Sequence, residues 1–125
     1  MSEVDTALRE EKAEERVKHI LTEKRLSDLK SLLEKDHAID CIFLLYLDKG
    51  RWKHAKNFIR KKLGRTISDG TFRARMMEIE DQGLAESVAI DPLKKYYVKT
   101  DFGGKIAEVL LELFDKAEEE IRRVT

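Results

Sequence analysis

Ile67-Ser68-Asp69-Gly70-Thr71-Phe72-Arg73-Ala74-Arg75-Met76-Met77-Glu78-Ile79-Glu80-Asp81-Gln82-Gly83-Leu84 is the stretch that decides how this chain folds. Ser68 is a strong N-cap, because its hydroxyl can accept one of the N–H groups that a helix start leaves unpaired. Phe72, Met76 and Ile79 then recur at i, i+4 and i+7, one face of a 3.6-residue repeat. Gly83 takes the C′ position, where a left-handed residue ends a helix. The spacing predicts a short helix with three apolar side chains turned inward. Its other face is small and polar: Asp69, Gly70, Thr71, Arg73, Ala74 and Met77.

Downstream, residues 84–90 and 96–100 are rich in β-branched and aromatic side chains. Asp91, Pro92, Leu93, Lys94 and Lys95 separate them as a turn with a cationic tip, so the two runs predict a β-hairpin. Upstream, Trp52, Ala55, Phe58, Ile59 and Leu63 recur at helical spacing and Gly64 stops the helix. Before that, residues 38–47 are apolar on nearly every face (Ile39, Cys41, Ile42, Phe43, Leu44, Leu45, Tyr46, Leu47), the pattern of a central helix covered on all sides. Lys49 and Gly50 are the expected end of it.

Residues 101–124 read as a helix with Ile106, Leu110, Leu113, Ala117, Ile121 and Val124 close to a heptad seam. Residues 4–34 read as helix too, its thin stripe of Val4, Ala7, Leu8, Ala13, Val17, Ile20 and Leu21 suiting a helix–helix seam better than a core. Whether a second helix starts within it, capped by Ser27, stays open. The expected fold class is mainly α with a small β-hairpin (α+β), in three parts: 1–36 a helical dimerisation segment, 37–100 the central domain, 101–125 a dimerisation helix. Helix, helix, helix, hairpin is the order of a winged helix, the helix-turn-helix variant whose third helix enters the major groove.

Charge supports that order. The 125 residues carry 25 basic and 25 acidic side chains, yet these are segregated. Residues 49–65 hold eight bases and no acid, and extending to residue 75 adds Arg73 and Arg75 against Asp69 alone, a net +9. The remainder leans acidic. A basic field on an otherwise acidic molecule is the electrostatic footprint of a duplex-binding surface. Solvation of a charged helix face is the plain alternative.

The segment 67–84 resembles the recognition-helix region of the HxlR, PadR and MarR-type regulators. There a Ser-capped helix carries Leu-like residues at these three positions, then an acidic turn, Gly and Leu. A second resemblance follows the hairpin, where Tyr97 and Thr100-Asp101-Phe102-Gly103-Gly104-Lys105-Ile106 match the Tyr-x-Leu-Thr-x-x-Gly-x-x-Leu that closes the wing in those families. The likeness spans residues 38–113. It departs at Lys99, where those families have Leu. The resemblance implies a winged helix-turn-helix transcriptional regulator, dimeric through its terminal helices.

In that frame Ser68, Asp69, Gly70, Thr71, Arg73, Ala74 and Arg75 are the expected recognition-helix contacts. Arg73 is able to make a bidentate contact with guanine, and small neighbours allow close approach. Arg51, Lys53, Lys56, Arg60, Lys61, Lys62 and Arg65 suit the phosphate backbone, and Lys94 and Lys95 the backbone or minor groove at the wing. Val17, Ile20 and Leu21, with Ile106, Leu110, Leu113, Ala117 and Ile121, form the expected dimer seam.

Enzymatic chemistry has no constellation to rest on. His19, His37 and His54 share no ligand spacing, Cys41 is the lone cysteine, and neither a Gly-rich phosphate loop nor Gly-x-Ser-x-Gly occurs. No enzyme, metal or cofactor is expected. No apolar run is long enough for a bilayer, so a cytoplasmic location and no membrane partner are expected, with Cys41 as a buried, inert thiol. One Asn and one Gln among so many charged residues lead to the expectation of an archaeal or thermophilic source. The expected partners are double-stranded DNA and a second copy of the chain on a pseudo-palindromic operator, and no small-molecule effector is identifiable. A plasmid-partition or nucleoid-organising protein, or a winged-helix protein–protein module, would share the same fold.

Overall fold

The computed structural model describes residues 3–92 and 94–125, and they fall into two compact units, Met1–Lys35 and Asp36–Thr125. Leu93 of the expected turn lies outside the described residues.

In the first unit α1 runs Glu3–Thr22 and α2 Lys24–Leu33. The break sits at Glu23, not Ser27: the Glu23 carboxylate accepts the Leu26 N–H at 2.8 Å and so caps α2, leaving Ser27 inside the helix. That same bond holds the Glu23 carboxyl below its ordinary range. No side chain of α1 is buried, as its narrow stripe required.

The second unit contains α3 (Ala38–Tyr46), α4 (Trp52–Leu63), α5 (Asp69–Asp81), β1 (Ala85–Asp91), β2 (Lys94–Lys99) and α6 (Asp101–Val124). α3 is its centre, burying Ala38, Cys41, Ile42, Leu44 and Leu45. Around it close Ala55 and Ile59 of α4, Phe72, Met76 and Ile79 of α5, Leu84, Tyr97, and Ala107 and Leu110 of α6. Burial raises the Cys41 thiol to about 12, and the neighbouring Asp40 carboxylate adds to the rise. α3 ends earlier than Lys49 and Gly50, because Asp48 adopts a left-handed φ of 58° and turns the chain out of the helix.

α5 starts and stops as the sequence dictates. Ser68 Oγ accepts the Thr71 N–H at 3.0 Å. At the other end Gly83, at φ 81°, allows its own N–H to reach the Glu80 carbonyl and that of Leu84 to reach the Ile79 carbonyl, a Schellman closure. Thr100 repeats the capping for α6, accepting the Gly103 N–H at 3.0 Å while its hydroxyl donates to the Gly83 carbonyl at 2.7 Å. The end of α5 and the start of α6 are thereby tied to one another.

The hairpin is antiparallel, with Ala85 opposite Lys99, Ser87 opposite Tyr97 and Ala89 opposite Lys95, and an irregularity between Ala89 and Asp91. Asp91 Oδ1 accepts the Lys94 N–H at 2.8 Å, which closes the turn sooner than expected. Lys94 and Lys95 therefore begin β2 instead of forming the tip. A backbone bond from Tyr97 N–H to the Gly50 carbonyl, 3.1 Å, fastens the hairpin to the segment before α4. Only glycine fits there, since a Cβ on residue 50 would lie 1.8 Å from the Tyr97 carbonyl oxygen. The arrangement is a winged helix with long terminal helices.

Candidate nucleic-acid interface

α5 offers an open N-terminal half. Gly70 is exposed with nothing within 4 Å of a Cβ built on it, and Ala74 is half-buried. Ser68 and Thr71 are joined through their hydroxyls at 2.9 Å, beside the helix's unpaired N–H groups. Such a terminus attracts an anion, and small side chains let backbone come close to it.

Arg73 projects outward, its side chain 71% exposed, and its Nε lies 3.0 Å from Asp69 Oδ1 one turn earlier. Asp69, an expected recognition-helix contact, thus lies against the inner nitrogen of the Arg73 guanidinium as an ion pair, with Oδ1 accepting no hydrogen bond. Its i, i+4 spacing from Arg73 is the signal in the sequence that points to this pair.

Arg75, also an expected recognition-helix contact, is bonded within the fold. Its Nε donates to the Asp36 carbonyl at 2.7 Å and its Nη1 pairs with Glu78 at 3.2 Å, so a side chain only 19% exposed is committed to joining α5 to the approach of α3. Three residues past the outward Arg73 face lies the core-facing row, and residue 75 sits beside it instead of opposite it.

The basic residues of α4 do not form one surface. Lys53, Lys56 and Arg60, at i, i+3 and i+7, share a face. On that side Lys56 Nζ lies 6.0 Å from the Trp52 ring, which packs at 5.2 Å on Phe72 of α5. Lys61 and Lys62 instead line a separate shallow depression of about 240 Å³ with Lys49, His54, Asn57 and Phe58. Arg65 is exposed in the link to α5.

Arg51 lies over the Tyr96 ring of β2 at 4.4 Å, and Lys95 Nζ lies 5.4 Å from Tyr97. Both remain exposed. Lys99, where the resembling families have Leu, pairs with Asp48 at 3.1 Å and reaches the Tyr46 carbonyl at 3.5 Å. It braces the base of the hairpin against the turn after α3, a role for which its stem supplies packing and its ammonium a partner.

The expected seam is also redistributed. In α6, Leu110 is buried and Ile106 half-buried within the second unit. Leu113 and Ile121 are more than half exposed, Ala117 half-buried, and Val109 and Phe114 join the outer apolar surface. In the first unit Val17 and Leu21 are exposed and Ile20 half-buried.

Among the described residues no group of three His, Cys, Asp or Glu side chains could hold a metal ion, and no helix is long and apolar enough to cross a membrane.

No protein-family model matches this sequence, and no curated protein matches it. Solved structures do. A MepR–DNA complex from S. aureus is similar with a TM-score of 0.52 at 21% identity, covering 87% of this chain and 87% of that one. A mutant MepR from a multidrug resistant S. aureus clinical isolate gives 0.50 at 19% identity, over 92% of this chain and 82% of that one. At such identity the likeness is one of fold, and the fold they share with this chain is the winged helix.

Proposed function

We propose that this chain binds double-stranded DNA as a homodimer and regulates transcription from a pseudo-palindromic operator. The observation that carries the reading is the front of α5: a Ser-capped helix start with Gly70 and Ala74 beside an outward Arg73, in a chain whose Lys53, Lys56 and Arg60 of α4 and Lys94 and Lys95 of β2 are also exposed. Arg73 suits the O6/N7 edge of guanine. Ser68, Thr71 and the cations suit phosphates, which set register without reading sequence. That MepR, of similar fold, has been crystallised with DNA supports the assignment.

Exposed apolar rows in each unit support pairing of two copies, Val17 and Leu21 in α1 and Val109, Leu113 and Ile121 in α6. A two-fold dimer presents two recognition helices to half-sites about one helical turn apart. On this reading the protein is not an enzyme and works where DNA is, in the cytoplasm. A partition or nucleoid-organising role differs in where it binds and not in how, so footprinting separates it from regulation.

Fluorescence anisotropy of a labelled duplex at two salt concentrations tests the reading. A dimer contacting about 6–10 phosphates loses about 10³–10⁵ in affinity between 50 and 200 mM salt. Arg73→Glu with Lys94→Glu removes that binding while the far-ultraviolet spectrum is unchanged. Absence of binding at low salt refutes the proposal and directs attention to a protein partner.

A further inference from the structure

Between residues 49 and 75 the chain has ten bases and one acid, and that acid, Asp69, lies at the front of the candidate interface. A carboxylate there repels phosphates, so it needs a reason. Stability is a weak one: an i, i+4 ion pair on a helix surface and an acid in the first turn of a helix each contribute little. Neither requires Asp over the Ser or Asn that would serve a helix start without the charge.

The geometry points to a different use: we propose that Asp69 is a positioning residue that holds Arg73 in the conformation that reads guanine, trading affinity for any duplex against discrimination among duplexes. This rests on the DNA-binding reading above and adds to it the source of specificity. Asp69 Oδ1 is shielded from solvent and 3.0 Å from Arg73 Nε. Oδ1 accepts no hydrogen bond there, so the contact is an ion pair that draws the guanidinium back over the first turn by the nitrogen nearest the stem. The two terminal nitrogens stay free to donate in parallel to guanine O6 and N7. An unpaired arginine would be drawn to the nearest phosphates, a contact every sequence offers. Asp69 raises the cost of that alternative twice, by attracting the guanidinium to its own carboxylate and by repelling the backbone. Pre-organisation of this kind also reduces the rotamer freedom lost on binding.

The experiment compares two probes on the full chain: a duplex that the protein itself enriches from a random-sequence pool, and a random duplex. Affinities for both are measured by anisotropy for the wild type, Asp69→Asn, Asp69→Glu, Arg73→Ala and the double variant Asp69→Asn with Arg73→Ala. Asp69→Asn is expected to bind the random duplex more tightly, since one negative charge is gone. Its preference for the enriched duplex falls about tenfold, within the range of one bidentate base contact. Asp69→Glu, which still reaches residue 73 across one turn, keeps most of the preference. In the Arg73→Ala background Asp69→Asn no longer changes the preference.

A merely stabilising Asp69 would shift both affinities together, and unchanged preference in Asp69→Asn overturns the proposal. Absence of binding to the random duplex at low salt refutes the DNA-binding reading itself, whereas binding without enrichment of any duplex overturns this proposal alone.

Discussion

Adjacent glycines at the start of α6 should respond to the same substitution with opposite sign. A Cβ on Gly103 would lie 1.8 Å from the Leu84 carbonyl oxygen and 2.8 Å from its carbon, both backbone atoms that cannot swing aside. A Cβ on Gly104 meets nothing nearer than the Lys99 Cδ at 3.7 Å, an ordinary contact with a flexible stem. Helix formation alone favours alanine at both, by about 0.4–1 kcal/mol through the unfolded chain. At Gly103 that gain is outweighed. Relieving the overlap moves α6 from the wing base, an overpacking cost of about 1–3 kcal/mol. The same movement strains the Thr100 N–H bond to that Leu84 carbonyl, 3.1 Å long, worth a further 0.5–1.5 kcal/mol or so. Gly103→Ala should therefore be destabilised by about 0.5–4 kcal/mol and Gly104→Ala stabilised by up to about 1 kcal/mol. Urea unfolding followed by circular dichroism reads both. If the two variants move in the same direction, the close approach of α6 to the Leu84 carbonyl is refuted and the Gly-Gly pair is a matter of propensity.

Ser68→Ala should cost about 1 kcal/mol in urea unfolding by orphaning the Thr71 N–H; an unchanged midpoint would show that α5 needs no cap. Arg73 and Arg75 should separate cleanly. Arg75→Ala loses its bonds to the Asp36 carbonyl and Glu78 and should lower stability by about 1.5–3 kcal/mol. Arg73→Ala should leave stability within about 0.5 kcal/mol yet cost about 1–3 kcal/mol of DNA affinity, and the reverse pattern would contradict the placement of these side chains. Cys41 predicts an alkaline limit. Its thiol is raised in the fold from 9.0 to about 12, so the unfolded chain ionises first. The stability is complete below about pH 9 and is lost as pH rises toward 12. Urea midpoints taken across that range should fall less steeply in Cys41→Ala, and identical slopes would mean that the thiol is not buried as found.

The helices of the second unit were legible because their signals are local. The apolar period of Phe72, Met76 and Ile79, the Ser68 cap and the stops at Gly64 and Gly83 each depend on residues within one or two turns. The hairpin was legible as an element but not in its bounds, since one side-chain bond from Asp91 to the Lys94 N–H moved the turn. In the first unit a single glutamate cap at Glu23 did the same to the helix break.

Composition and spacing by themselves determined the element order, the basic field over residues 49–75 and the three inward side chains of α5, because helical period and charge are properties of neighbours in the chain. Only the tertiary structure decided which members of that field stay outward: Arg73 toward solvent beside Asp69, Arg75 toward the Asp36 carbonyl. It likewise turned Leu110 into the core and Leu113 away from it. Arg73 and Arg75, two apart along a helix, differ by about 200° in direction, while Leu110 and Leu113, three apart, lie within about 60° of one another; which part of each helix is covered depends on where distant segments pack, information that no local stretch of sequence contains.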